Sequence, residues 1–181
     1  AHEIRNPLAS ISGSVQFLKK EIELADEHKN LMDIIIKESM RLSNSIEEFL
    51  NYTKSIPLDK ATFDLSQLMD DTLELISSNY QDVSFIKRYN PKIQINGDEK
   101  QMKQVIWNLI SNAVKAVNEK GQIEITIIEE DKTSLYIKDN GVGIHKDDLE
   151  KIFVPFYSKF TAGIGLGMPI VKRILSEHGA S

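Results

Sequence analysis

The stretch Met102–Asn118, with the sequence MKQVIWNLISNAVKAVN, predicts a long α-helix, because its apolar residues recur with the period of an α-helix. Gly121 follows shortly after, as is typical of a helix end. The apolar side chains spread over one side of the helix, which predicts that this side is buried; they are Met102, Val105, Leu109, Ala113 and Val117. The helix therefore belongs to a domain with a packed core.

The opposite side of this helix carries Asn108, Asn112 and Lys115, which fall within about 60° of one another. An amide oxygen can bind Mg²⁺, and an ammonium group can pair with phosphate. The face therefore suits an oxygen-rich anion, and the alternative is an ordinary solvated polar face.

A glycine turn, Asp139-Asn140-Gly141-Val142-Gly143-Ile144, directly follows a predicted strand. Its glycines permit a tight bend and the close approach of a flat ligand. The carboxylate of Asp139 can accept a hydrogen bond from an exocyclic amine. The alternative is a simple turn, for which Asp-Asn-Gly is a common sequence.

A second glycine turn, Gly163-Ile164-Gly165-Leu166-Gly167, opens a helix predicted to begin near Met168 or Pro169. Free N–H groups and the positive end of the helix dipole make such a turn an anion site. It lacks the Lys of a P-loop and the strand–helix spacing of a dinucleotide fingerprint.

The surrounding sequence predicts a layered α+β domain. A helix over 65–77 has Asp64 or Ser66 available as its N-cap, and a last helix runs through His178. Four short runs suit strands: 83–86, 93–95, 123–128 and 135–138. Trp107 is expected in the core, and the charged run 146–151 is expected to be solvated.

The first 54 residues predict two amphipathic helices. Apolar residues spaced alternately four and three apart form a coiled-coil seam: Ile4, Leu8, Ile11, Val15, Leu18 and Ile22. The polar run 25–30 interrupts the seam, and a second helical pattern follows from Leu31 to Phe49. Because a lone hairpin cannot cover both apolar stripes, we expect it to associate with another copy of itself.

His2 and Asn6 lie on the first helix about 160° from the centre of its apolar stripe, so both are expected in solvent. An imidazole beside the carboxylate of Glu3 can act as a nucleophile, because the carboxylate holds one ring proton and leaves the other nitrogen able to attack. An ordinary surface histidine is the alternative. A zinc-protease motif is excluded, because the residue four after His2 is not a second histidine.

Composition narrows the class of protein further. The chain has 181 residues, 41% of them hydrophobic, which is too many for a disordered chain. Its net charge of −5 argues against a protein that coats nucleic acid, and the absence of cysteine excludes disulfide scaffolds and thiol nucleophiles. No stretch approaches the length of a membrane span. The chain begins at Ala1 without an initiator Met, so we expect it to be cut from a longer protein.

Taken together, these motifs resemble those of the sensor histidine kinases of two-component signalling. They match the family's boxes in the family's order: 2–8 the H box, 108–116 the N box, 139–144 the G1 box, 153–156 the F box and 163–167 the G2 box. Three features depart from the common pattern, namely Ala116 in place of an aromatic residue, Ile164 in place of Thr, and a short lid over 157–162.

The resemblance implies a role for each residue of the H box that was singled out. His2 would receive the γ-phosphoryl group of ATP, with Glu3 as its acid/base partner. Asn6 would help to orient water when the phosphorylated response regulator is dephosphorylated.

The resemblance also implies how ATP and Mg²⁺ are held. Asn112 would be the Mg²⁺ ligand, with Asn108 and Lys115 at the phosphates. Asp139 would accept from the adenine amine. The glycines would shape the adenine pocket (Gly141 and Gly143) and anchor the lid over the phosphates (Gly163, Gly165 and Gly167).

The implied fold is a helical hairpin that dimerises into a four-helix bundle, followed by the α+β two-layer sandwich shared by histidine kinases, gyrases and chaperone ATPases. The expected domains are a dimerisation and phosphotransfer hairpin over 1–54, a linker over 55–62 and an ATP-binding domain over 63–181, with both domains truncated. The implied partners are a second copy of the chain and the receiver domain of a response regulator. A cytoplasmic location is expected, with membrane contact only through sensor regions absent from this chain.

Two alternatives remain. An ATPase of the gyrase, chaperone and mismatch-repair group would share the nucleotide-binding fold, yet it has no reason to carry His2 on a helical hairpin. A dimeric scaffold that has lost nucleotide binding would not need Asn112 and Asp139.

Overall fold

The computed structural model describes residues 2–22, 25–53, 57–117, 120–160 and 164–180, without the side chains at 2–5, 44, 47, 48 and 51. The chain divides into two compact units, Ala1–Ser55 and Ile56–Ser181. Within the described ranges, no helix is both long enough and apolar enough to cross a membrane.

The first unit is a helical hairpin, as predicted. Helix α1 spans His2–Glu21 and helix α2 spans Asp26–Thr53. The Lys19 ammonium donates to Asp33 across the pair at 2.5 Å. The expected loop over 25–30 is wrong in length, because α2 already begins at Asp26. The acidic side chains of Asp26 and Glu27 stabilise the positive end of the helix dipole, so this polar run forms the first turn of α2.

Both helices of the hairpin leave large apolar side chains exposed, and that of Phe17 is 64% exposed. The others in this unit are Ile11, Leu18, Ile22, Leu31, Ile34, Ile35, Met40, Leu42 and Phe49, of which Ile22 directly follows α1. So much apolar surface is unusual for a solvated hairpin and favours association. Association with a second copy stays a prediction.

The second unit contains five strands and three helices among its described residues. The strands are β1 Ala61–Asp64, β2 Ser84–Arg88, β3 Gln94–Gly97, β4 Gln122–Glu129 and β5 Thr133–Asp139. The helices are α3 Leu65–Ser77, α4 Glu99–Ala116 and α5 Gly167–His178. Two short 3₁₀ turns, Lys146–Asp148 and Lys151–Phe153, lie between β5 and α5.

The strands form two sheets. In the three-stranded sheet the order is β2-β4-β5, with β2 parallel to β4 and β4 antiparallel to β5. In the small sheet β1 pairs antiparallel with β3. Strand β1 was not predicted, and its first two residues fall in the expected linker.

Helices packed on one face of the larger sheet bury the core, which confirms the predicted two-layer α+β architecture. Alternate residues of β4 are buried, as a strand covered on one face requires. These isoleucines join apolar side chains of α3 and α4 in one cluster: Leu68, Met69, Leu73, Ile76, Ile106, Ile110, Ile123, Ile125 and Ile127. The core therefore holds α4 by its apolar face, and the polar face of the helix points away from the sheet.

Helix α3 has the predicted bounds, and Asp64 is its N-cap, accepting from the Gln67 N–H at 3.1 Å. Ser66, the other candidate, has a different task. Its buried hydroxyl donates to the carbonyl of Asn90 at 2.8 Å and accepts from the Ile93 N–H at 3.2 Å. It thereby ties the loop before β3 to α3.

Asp98 fixes the start of α4. Its carboxylate caps the helix at the Gln101 N–H and also accepts from the Asp59 N–H, both at 3.1 Å. Burial alone would raise the pKa of Asp98, but these N–H donors, with His178 nearby, lower it overall. The Asp98 N–H donates to Nε2 of His178 at 2.9 Å, so α5 also holds this end of α4.

Trp107 is 43% exposed, so the prediction that it belongs to the core is wrong. It lies about 100° around α4 from Ile106, which faces the sheet. That flank of the helix is open to solvent.

Candidate functional site

Helix α4 presents Asn108, Asn112 and Ala116 in one stripe, because they are spaced four residues apart. The stripe is about 12 Å long at 1.5 Å per residue. Both asparagines are partly buried, and neither side-chain amide has a hydrogen-bond partner in the part of the chain that the structure describes. Lys115 lies beside them and is exposed. The stripe therefore offers unused amide groups on a rigid element.

The second glycine turn reaches one end of this stripe. A Cβ added at Gly167, the first residue of α5, would lie 3.3 Å from Oδ1 of Asn108. The N-cap of α5 is Leu166, which makes no side-chain hydrogen bond to the helix. Pro169 has no N–H and the Ile170 N–H donates to the carbonyl of Leu166, so the N–H groups of Gly167 and Met168 are the ones available to an anion beside Asn108.

The first glycine turn reaches the other end. The Val142 N–H donates to the carbonyl of Ala116 at 3.0 Å. The carboxylate of Asp139 accepts from the Gly141 N–H at 2.9 Å through Oδ1. Its Oδ2 has no protein partner among the described residues, so this oxygen can accept from a ligand amine.

Gly141 lies in close contact with the end of α4, since an added Cβ would lie 2.4 Å from the carbonyl oxygen of Ala116. We predict that Gly141→Ala destabilises the protein by about 3 kcal/mol, because the added Cβ would clash with backbone atoms of Ala116 and not with a flexible side chain. Gly143 has φ +69° and open space around it. Gly143→Ala should therefore cost only about 1 kcal/mol of backbone strain. Urea denaturation measures the free energy of unfolding of both variants, and an equal loss of stability in the two would contradict a specific contact at Gly141.

The segment 153–160, termed the aromatic arm, lies against the second glycine turn. The Phe156 N–H donates to the carbonyl of Gly165 at 3.1 Å. Gly165 has φ +77°, and an added Cβ would lie 2.4 Å from the carbonyl oxygen of Tyr157. Only glycine fits this position, for both reasons. The ammonium of Lys172 on α5 lies 5.4 Å from the ring centroid of Phe153, which adds a cation–π contact.

Sequence reasoning missed Asp148. The side chain was expected in a solvated run, yet Asp148 is 6% exposed. Its Oδ1 accepts from the Tyr157 hydroxyl at 2.5 Å, and its Oδ2 accepts from the Lys159 ammonium. The hydrogen bond from Lys159, followed by that from Tyr157, lowers the pKa of Asp148. The charged run 146–151 has the composition of a solvated segment, and no local pattern marks one carboxylate in it as buried.

The predicted site residues thus fall into two groups. Gly167 lies against Asn108 at one end of the stripe of α4, and Gly141 and Asp139 lie at its other end, with Asn112 between them. Gly165 packs against the aromatic arm, Lys115 is exposed beside the stripe, and Gly143 lies in the first glycine turn. His2 and Asn6 lie on α1 of the first unit, where Asn6 is exposed. The side chains of His2 and Glu3, and all of Gly163, lie outside the described residues.

The stripe suits an elongated ligand. Its Asn108 end offers amide and N–H groups to an anion, and its Asp139 end offers a fixed carboxylate oxygen to an amine. Among the described residues, no cluster of three or more His, Cys, Asp or Glu could hold a metal ion. A cation here would depend on an amide oxygen and on the ligand itself.

Two family models match the chain. One, described as His Kinase A (phospho-acceptor) domain, covers residues 1–56. The other, described as Histidine kinase-, DNA gyrase B-, and HSP90-like ATPase, covers residues 97–181.

Similar proteins include the sensor histidine kinase ZraS of Escherichia coli O157:H7, which is 32% identical over all of this chain and 40% of its own length. The chain therefore spans about 40% of this relative. Histidine kinase ThkA, solved in complex with the response regulator protein TrrA, is 30% identical with a TM-score of 0.71, covering 98% of this chain and 53% of that one. Full-length ShkA, solved in complex with AMPPNP, is 26% identical with a TM-score of 0.76, covering 98% and 40%.

Proposed function

The chain belongs to the sensor histidine kinases, and on this premise we propose that it transfers the γ-phosphoryl group of ATP to His2 and then to an aspartate of a response regulator. The observation that carries the proposal is the stripe of Asn108 and Asn112 between two glycine turns, in the same chain as the helix that bears His2. The remaining roles follow from the chemistry of each residue.

ATP lies along the stripe of α4 in this proposal. The adenine amine donates to Asp139, in the turn that Gly141 holds against the end of the helix. The phosphates lie toward Asn108 and the first turn of α5, with the Lys115 ammonium beside them. Gly143, Gly163, Gly165 and Gly167 let the backbone approach the nucleotide closely.

Asn112 would hold Mg²⁺ through its amide oxygen, which no described residue occupies. Mg²⁺ commonly binds to one or two protein oxygens plus phosphates and water, so this single donor fits the ion. The ion would neutralise charge on the phosphates when bound. Lys115 and the N–H groups of α5 add positive charge from the chain itself.

His2 is the proposed acceptor. The unprotonated ring nitrogen attacks the γ-phosphorus, an N–P bond forms and the bond to the ADP oxygen breaks. The other ring nitrogen then gives up its proton to Glu3, which leaves the ring neutral and the negative charge on the transferred phosphoryl group. Asn6, one turn further on, is exposed and would orient the water that hydrolyses the phosphoryl group from the phosphorylated regulator.

Two partners complete the proposal. A second copy of the chain covers the exposed apolar side chains of α1 and α2, forming a four-helix bundle. The receiver domain of a response regulator accepts the phosphoryl group near His2. No role in nucleic-acid binding is proposed, given the net charge of −5. We place the activity in the cytoplasm, with any membrane anchor in regions outside this chain.

Calorimetric titration with AMPPNP and Mg²⁺ tests the nucleotide site. We expect binding with a Kd of about 10⁻⁴ M or tighter. No binding would favour the dimeric scaffold. Binding accompanied by release of phosphate from ATP, with no phosphate on the protein, would favour the ATPase alternative.

A further inference from the structure

We propose that Asp148 is a positioning residue for the nucleotide, because it holds the aromatic arm against the glycine turn that faces Asn108. The inference rests on the proposed binding of ATP along α4. It assigns to Asp148 a task that neither the motifs nor the phosphoryl transfer itself requires of it.

Asp148 is one of two buried carboxylates among the described residues, the other being Asp98. Asp98 caps α4 and binds backbone N–H groups. Both carboxylate oxygens of Asp148 instead accept hydrogen bonds from side chains of the arm, namely the hydroxyl of Tyr157 and the ammonium of Lys159. Its own N–H donates to the carbonyl of His145 at 2.9 Å, within the 3₁₀ turn that follows the first glycine turn. The carboxylate therefore connects the two glycine turns through the arm.

The arm depends on this contact because its apolar side chains contribute little burial. Val154, Phe156 and Phe160 are all exposed. A buried carboxylate is costly unless it is paired, and hydrogen bonds to a charged group are among the stronger ones. The position of Tyr157 is therefore set by Asp148 more than by packing.

The position of Tyr157 matters to the site. Its carbonyl lies against Gly165, and its neighbour Phe156 donates to the Gly165 carbonyl at 3.1 Å. Gly167, which is two residues after Gly165, lies against Asn108 and begins α5. A shift of the arm therefore displaces the N–H groups offered to the phosphates, while Asp139 and Gly141 keep their own contacts with β4 and α4. The loss should fall on the phosphate end of the ligand.

The test compares AMPPNP and ADP binding to the Asp148→Asn variant by calorimetry. We expect AMPPNP affinity to fall by about tenfold and ADP affinity by less than threefold, since a displaced aromatic arm affects the terminal phosphate most. Asp147→Asn is the matched control, because the Asp147 side chain is 79% exposed and, among the described residues, affects the arm only through its charge near Lys159, without a hydrogen bond or ion pair to it. It should leave both affinities unchanged.

Two milder variants show whether Asp148 acts through its partners. Tyr157→Phe removes one hydroxyl, and Lys159→Gln removes an ammonium that is largely exposed, so both should fold even if Asp148→Asn does not. Each should weaken AMPPNP more than ADP. Lys159→Gln should lower the AMPPNP affinity less in the Asp148→Asn variant than it does in the wild type, because the two residues act through one contact.

Equal losses for AMPPNP and ADP would overturn the proposal, because they would indicate a general structural role. Unchanged or tighter AMPPNP binding in the variants would also overturn it, as would fully additive losses in the double variant. Failure of the wild-type protein to bind AMPPNP is a separate result, which contradicts the proposed function.

Discussion

The His2→Gln variant is expected to take up no phosphate from γ-labelled ATP, a loss of at least about 10³-fold relative to wild type, because glutamine supplies no nucleophilic nitrogen. The variant should still bind AMPPNP with unchanged affinity, since the nucleotide residues lie in the other compact unit. Autoradiography of the protein measures the label, and calorimetry measures the affinity.

The matched control for His2 is His28→Gln. His28 is an exposed histidine in the first turns of α2, on the same hairpin. It should label as fully as the wild type. If His2→Gln retains the label, or if only His28→Gln loses it, the assignment of the phosphate acceptor is wrong.

The Asn112→Ala variant is expected to lower the rate of labelling by about 100-fold, because the amide oxygen that would hold Mg²⁺ beside the phosphates is removed. Raising the Mg²⁺ concentration should restore part of the rate. Initial rates of labelling at several Mg²⁺ concentrations measure this effect.

The stability of the Asn112→Ala variant shows whether a loss of labelling comes from a lost Mg²⁺ ligand or from a destabilised fold. Asn112 has no hydrogen-bond partner among the described residues, and alanine has the higher helix propensity. The variant should therefore unfold at the same urea concentration as the wild type or at a higher one. Lys103→Ala, an exposed change on another face of α4, should label normally. A destabilised Asn112→Ala protein, or an equal loss of labelling in Lys103→Ala, would contradict the assigned role.

The local sequence predicted those elements whose signals are themselves local. Helix α3 has the predicted bounds because Asp64 caps it and its apolar face repeats with helical period. Strand β4 has the expected alternation. Helix α4 begins at Glu99, earlier than expected, although the pair Asp98 and Gln101 was a readable N-cap signal.

The features that were missed depend on contacts distant in sequence. Strand β1 has only four residues and exists through its pairing with β3, so no period within it distinguishes it from a linker. Trp107 is 43% exposed on a flank of α4 that the other described elements cover only in part, which its hydrophobicity could not indicate.

The same distinction applies to the candidate site. The motifs identified Asn108, Asp139 and the glycines individually, because each glycine turn has its own sequence pattern. Their meeting along α4 arises from close backbone approaches, such as Gly141 against Ala116, that only the fold creates. Asp148 had no pattern at all, since its partners Tyr157 and Lys159 reach it across a loop.

In the proposed reaction a histidine of the hairpin receives phosphate from the nucleotide site. The most direct measurement is the chemical stability and position of the label after incubation with γ-labelled ATP and Mg²⁺. Phosphohistidine predicts a label that is lost in acid, kept in alkali and located in the peptide that contains His2. An acid-stable label, a label on another peptide, or free phosphate with unlabelled protein would contradict the claim.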